Sequence, residues 1–134
     1  MLWDYLGNGN PVSFLRMSYP NYLCCDTEVT GATNGTYGNA FTDGNRLCYV
    51  GIGNSNGATG YPIDVAGSPF GETLRLVSDA LRSGNPIFVG FNIKFDLHWL
   101  RRYGVILPRK SLVWDCQLAE FIISNQETPL PSLE

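Results

Sequence analysis

From residue 22 onward the chain alternates short apolar runs with longer stretches in which apolar positions recur at helical spacing. Residues 22–28 read as a first strand ending in Asp26-Thr27-Glu28. Successive strand side chains point to opposite faces, so Asp26 and Glu28 share one side and Thr27 faces the other. A Gly-, Asn- and Thr-rich loop over 31–44 leads to a second strand at 46–53, apolar through Leu47, Tyr49, Val50 and Ile52. Turn residues at 54–57 predict a hairpin, with a third strand over 58–65 that Pro62 confines to a sheet edge. Leu74, Val77 and Leu81 recur at helical spacing over 70–82, and Gly84 follows as a stop. Residues 87–91 are short, apolar and β-branched, the pattern of a strand buried on both faces, and lead into a helix that starts near Asn92 and ends near Gly104. A short strand at 112–114 precedes Asp115, placed as the N-cap of a helix carrying Leu118, Ala119, Ile122 and Ile123. Three early strands followed by alternating helix and strand give an α/β domain.

The pattern divides the chain into a lead-in segment over 1–21, one domain over 22–125 and a linker or tail over 126–134 containing two prolines. At 134 residues and 44% hydrophobic content there is enough apolar material for a single core. A net charge of −3 argues against a long duplex-binding surface, which needs many cations to meet phosphates. It leaves room for a few nucleotides held through metal ions, which bring their own positive charge. The four cysteines, at 24, 25, 48 and 116, lack zinc-ligand spacing and read as buried, reduced thiols of an intracellular protein. No apolar run approaches the ~20 residues of a membrane span, and no secretory leader opens the chain, so a soluble, cytoplasmic protein without a membrane partner is expected.

Candidate chemistry lies in three carboxylates. Asp26 and Glu28 project from one strand edge, an arrangement that also begins ordinary solvent-facing turns. Asp96 shares a helix face with Trp99, Leu100 and Tyr103, and a core-facing carboxylate requires a metal or hydrogen bonds to satisfy it. The competing explanation is an acid in the first helical turn, where the helix dipole favours it. Together the three suit Mg²⁺ or Mn²⁺, hard cations usually held by one or two carboxylates with water and phosphate. His98, the only histidine, lies two residues beyond Asp96, about 200° around the helix, and is expected to face solvent. Asp115 reads as a cap, and Arg101, Arg102, Arg109 and Lys110 as a solvated basic stretch that could touch a nucleic-acid backbone.

Asp26-Thr27-Glu28 followed by Gly90-Phe91-Asn92-Ile93-Lys94-Phe95-Asp96 resembles the first and second exonuclease motifs of the proofreading domain of family A DNA polymerases of bacteria and phages. Val113-Trp114-Asp115-Cys116-Gln117-Leu118-Ala119 resembles the aromatic-Asp-Thr segment that opens the next helix there and in ribonuclease D-like exonucleases, with Cys116 where Thr is usual. The resemblance implies a ribonuclease H-like mixed β-sheet flanked by helices, C-terminally truncated because the third motif, Tyr-x-x-x-Asp or His-x-x-x-x-Asp, has no counterpart before Glu134. It implies removal of 3′-terminal nucleotides from single-stranded DNA with two Mg²⁺ or Mn²⁺ ions. Asp26 would bridge both ions, Glu28 would hold the first and Asp96 the second. Thr27, Asn92 and Phe95 match positions lining the 3′-terminal nucleotide; from the residues alone they read equally well as a backbone-bonded turn, an N-cap and a core aromatic. The implied partner is a polymerase domain of the same polypeptide, in a bacterial cell or phage-infected host. An RNA exonuclease of the ribonuclease D kind, and a non-catalytic nucleic-acid-binding or structural remnant of the fold, are the alternatives.

Overall fold

The computed structural model describes residues 21–30, 39–83, 86–126 and 130–131. The expected lead-in over 1–20, most of the 31–44 loop, the Gly84 stop and most of the tail lie outside the described residues. The elements run β1 (Tyr22–Val29), β2 (Leu47–Asn54), β3 (Gly57–Pro62), α1 (Phe70–Arg82), β4 (Ile87–Gly90), α2 (Ile93–Arg102), β5 (Val113–Asp115) and α3 (Cys116–Ile123). They form a five-stranded mixed sheet in the order β3-β2-β1-β4-β5. β1 pairs antiparallel with β2 and β2 with β3, while β4 runs parallel to β1 and β5 parallel to β4. This is the expected α/β class.

The β2–β3 hairpin closes where Asn54 pairs with Gly57. The Asn54 side chain accepts the Asn56 N–H at 2.8 Å, and Gly57 takes a φ of 147°, which only glycine adopts without strain. β3 is an edge strand, as Pro62 requires, but ends there rather than at 65. Proline has no N–H for the ladder, although Ile63 and Asp64 still donate to Cys48 and Leu47 of β2.

The core lies on one face of the sheet. Cys25 of β1, Val50 and Ile52 of β2 and Phe88 of β4 meet Val77 and Leu81 of α1 and Trp99 and Leu100 of α2, all buried. Each large buried side chain contributes roughly 1.5–3 kcal/mol of hydrophobic stabilisation. α2 ends in a Schellman motif, the Val105 N–H donating to the Leu100 carbonyl and that of Gly104, at a φ of 81°, to Arg101. Just beyond the helix body the Tyr103 hydroxyl accepts the Leu47 N–H at 3.0 Å and donates to Asp64 at 3.1 Å, tying α2 to the start of β2.

Three expectations about burial change. β4 is not buried on both faces: Phe88 is fully buried, but Val89 is only half-buried and lines an open groove on the other side. No residue of α3 is buried, and Leu118, Ile122 and Ile123 are 51%, 64% and 76% exposed. All four cysteines are free, as expected, but only Cys25 is buried; Cys24 points to the other face and is exposed. No helix among the described residues is long and apolar enough to cross a membrane.

Candidate functional site

Alternation along β1 sends Cys25 and Thr27 into the core and leaves Asp26 and Glu28 exposed on the opposite face. β1 also outruns its pairing with β4, which stops at Cys24 opposite Val89. At the end of β4 the chain turns through Asn92, in a left-handed conformation with a φ of 54°, directly into α2. Gly90 permits the turn: a Cβ there would lie 3.0 Å from the Ile93 side chain. Asp96, in the first turn of α2, is thereby brought against the free edge of β1. Its Oδ1 accepts the Thr27 backbone N–H at 2.9 Å and the Thr27 hydroxyl at 2.6 Å.

Asp96 is only 3% exposed. Burial pushes its carboxyl up from an ordinary 3.8 to about 6; the Thr27 hydroxyl bond pulls it back, and the nearby charge of Asp26 raises it again. The same surroundings push the Cys25 thiol up to about 12, first by burial and then by the charges of Asp96 and Asp26. Asp26 and Asp96 are therefore electrostatic neighbours reached from opposite sides of β1. Both Thr27 donors go to Oδ1, so neither occupies Oδ2 of Asp96.

Among the described residues no three His, Cys, Asp or Glu side chains converge into a metal-holding group. Asp26 and Glu28 lie on the exposed face of β1 and Asp96 on the core side against Thr27, so the three expected carboxylates are not brought together into one ligand cluster.

The other expected residues fall as follows. Thr27 is 7% exposed, with its hydroxyl committed to Asp96. Asn92 occupies the N-cap position of α2 without a capping side-chain bond and is exposed. Phe95 is half-buried, edge-on to Trp99 with ring centroids 6.5 Å apart. Asp115 is the cap of α3: its Oδ1 accepts N–H groups from Gln117 at 3.0 Å and Leu118 at 3.4 Å, and from Asn92 at 3.0 Å. His98, expected to face solvent, is half-buried against Phe41.

Beside Asp26 the same sheet face forms a groove of about 560 Å³ lined by Cys24, Gly51, Gly53, Gly60, Val89 and Cys116. Reading the sequence missed this groove. Its signal was the alternation of Gly51 and Gly53 within β2, since glycine inside a strand marks a place where another group approaches closely.

No protein-family model and no curated protein matches the chain. Among solved structures, one described as the apo form of the nuclease is similar to it, with a TM-score of 0.57 and 17% identity over 91% of this chain and 52% of that one. The chain thus spans about half of that protein's length, and at this identity the likeness is one of fold. The shared fold is a mixed five-stranded sheet flanked by helices.

Proposed function

We propose that the chain is a nuclease, and within that class a 3′-to-5′ exonuclease that removes terminal nucleotides from single-stranded DNA, with Asp26, Glu28 and Asp96 as metal-holding carboxylates. One observation carries this reading. Across 69 positions of sequence, Asp96 is buried against Thr27, the residue between the two exposed acids of β1. A carboxylate held in a desolvated position within reach of a second carboxylate's charge is costly for stability and is characteristic of functional sites. The fold and its likeness to a nuclease support the class.

Magnesium or manganese, when bound, supplies an activated water and stabilisation of the leaving oxygen. The chain's own residues divide the rest of the work. Asp26 and Asp96 offer oxygens from two elements, Glu28 offers another from the same edge, and Thr27 fixes the rotamer of Asp96 through two hydrogen bonds. The groove beside Asp26 gives a terminal nucleotide an apolar lining. Asn92 and Phe95, at the start of α2, are proposed to contact the terminal nucleotide on the motif resemblance alone. DNA is proposed over RNA, and a polymerase domain of the same polypeptide as partner, on the motif resemblance alone.

The test is a time course on 5′-labelled single-stranded DNA and RNA with Mg²⁺ or Mn²⁺, comparing wild type with Asp26→Ala and Asp96→Ala. A ladder shortening from the 3′ end, slowed roughly 100-fold or more in both variants, is expected. Internal cuts would keep the nuclease and remove the exonuclease. A second reading, a non-catalytic nucleic-acid-binding protein of the same fold, is favoured by the lack of a convergent three-ligand group among the described residues. Binding without any metal-dependent cleavage would select it.

A further inference from the structure

The outward side of α2 carries features that the carboxylate site does not use. Lys94, Leu97, His98 and Arg101 stand at i, i+3, i+4 and i+7, one stripe of the helix, with Lys94 and Arg101 exposed. The stripe is about 10 Å long. Asp96, Trp99 and Leu100 turn inward from it. Along the stripe run two adjoining cavities that share His98 and Arg101. The first, about 630 Å³, lies between α2 and α3 and is bounded by Trp114, which is 56% exposed. The second is bounded by Phe41, 72% exposed and in ring contact with His98 at 5.5 Å. An exposed aromatic side chain thus lines each of the two cavities beside the cationic stripe.

Among the described residues nothing in the fold engages the charges of Lys94 and Arg101. Arg102, next in sequence, is engaged: its guanidinium donates to the carbonyls of Ala40 and Thr42 and lies over the Trp99 ring. Lys94 and Arg101 pair with no carboxylate among the described residues, where the only ion pair is Arg75 with Asp79. Asp115, on the first cavity, has its Oδ1 occupied by three backbone N–H groups. Asp43, on the second, is the acid that faces the track without such commitments.

We propose that this track, from Trp114 across Lys94 and Arg101 to Phe41, binds single-stranded nucleic acid, with bases stacked on the two aromatics and phosphates on the two cations. Aromatic faces interleaved with cations are the chemistry of sequence-tolerant single-strand binding. Choosing nucleic acid among polyanions rests on the nuclease reading. The track is separate from Asp26, Glu28 and Asp96 and would hold the strand away from the cutting site.

The experiment measures anisotropy of a fluorescein-labelled oligothymidylate and its RNA counterpart with the full chain in chelator, so that binding is read without cleavage. Lys94→Glu with Arg101→Glu should weaken binding at least tenfold and flatten the log–log salt slope by about 1.4, the value for two single-strand phosphates. Trp114→Ala should weaken it at least fivefold, and Arg101→Lys should largely retain it. All four positions changed or bordered here are surface-exposed, and thermal melts of each variant confirm folding. Unchanged affinity in the charge-reversed and Trp114→Ala variants overturns the track, as does absence of wild-type binding. A dimer abolished by Trp114→Ala with no change in oligonucleotide affinity overturns it in favour of a second copy. Cleavage with Mn²⁺, read separately through Asp26→Ala, reports on the nuclease reading, so either proposal can fail alone.

Discussion

Asp96 contributes a pH-dependent element to the chain's stability. Its carboxyl is pushed from 3.8 to about 6, so the folded protein holds that proton more tightly than the unfolded chain does. The stabilisation is fully present below the unfolded value near pH 4 and is lost as pH rises through 6, in total about 3 kcal/mol. Asp96→Asn keeps an oxygen for Thr27 and removes the charge. In chelator, its unfolding free energy should match wild type near pH 4 and exceed it by about 3 kcal/mol at pH 7, read from urea titrations. A difference independent of pH would sink the assignment. Thr27→Val removes the hydroxyl bond that holds the carboxylate, so its cost should be about 1.5–3 kcal/mol at pH 7 and about 0.5–1.5 at pH 4, where the acceptor is neutral. Thiol chemistry separates two neighbours in the same way. Cys24 is exposed while burial pushes Cys25 up to about 12, so alkylation mapped by mass should label Cys24 in the folded protein and Cys25 only after unfolding.

At the scale of elements, Asp115 joins two β-to-α turns through one oxygen. Asp115→Ala should cost about 0.5–2 kcal/mol by chemical denaturation, the range for a lost N-cap, and Asp115→Asn less. A neutral alanine variant would contradict the cap. The cap was legible in the sequence because an acid stood between an apolar run and a helical period. Its bond to the Asn92 N–H was not, since the partner lies 23 residues away and is met only once β4 and β5 pair. Strand and helix positions followed from periodicity for the same local reason. What periodicity could not give was coverage. The apolar content of β4 promised burial on both faces, but Val89 is half-buried because burial depends on which other element packs there. α3 shows this more strongly, with the apolar spacing of a core helix and no buried residue.

At the scale of the molecule, two kinds of information assembled the candidate site, and only one is local. Period-two alternation put Asp26 and Glu28 on one face, and helical spacing put Asp96 on the core side of α2; both were readable. The hydrogen bonds from Thr27 that join the two elements, and the glycine-lined groove beside them, arise from the sheet order and were not. That join has a thermodynamic consequence. Without metal, ionised Asp96 opposes folding above pH 6 and Asp26 adds to the cost. A divalent ion binding the carboxylates needs them charged and acts only on the folded arrangement, so it reverses the sign of their contribution. Metal stabilisation should therefore grow with pH. At 100 times its dissociation constant, Mn²⁺ should add about 2.7 kcal/mol at pH 7.5, a rise in Tm of roughly 10 °C for a domain of this size, and much less at pH 5. Thermal melts of wild type and of an Asp26→Ala, Asp96→Ala double variant, each with Mn²⁺ or chelator at both values, make the comparison. A shift that persists in the double variant places the ion elsewhere, and a shift that does not grow with pH removes Asp96 from its ligands.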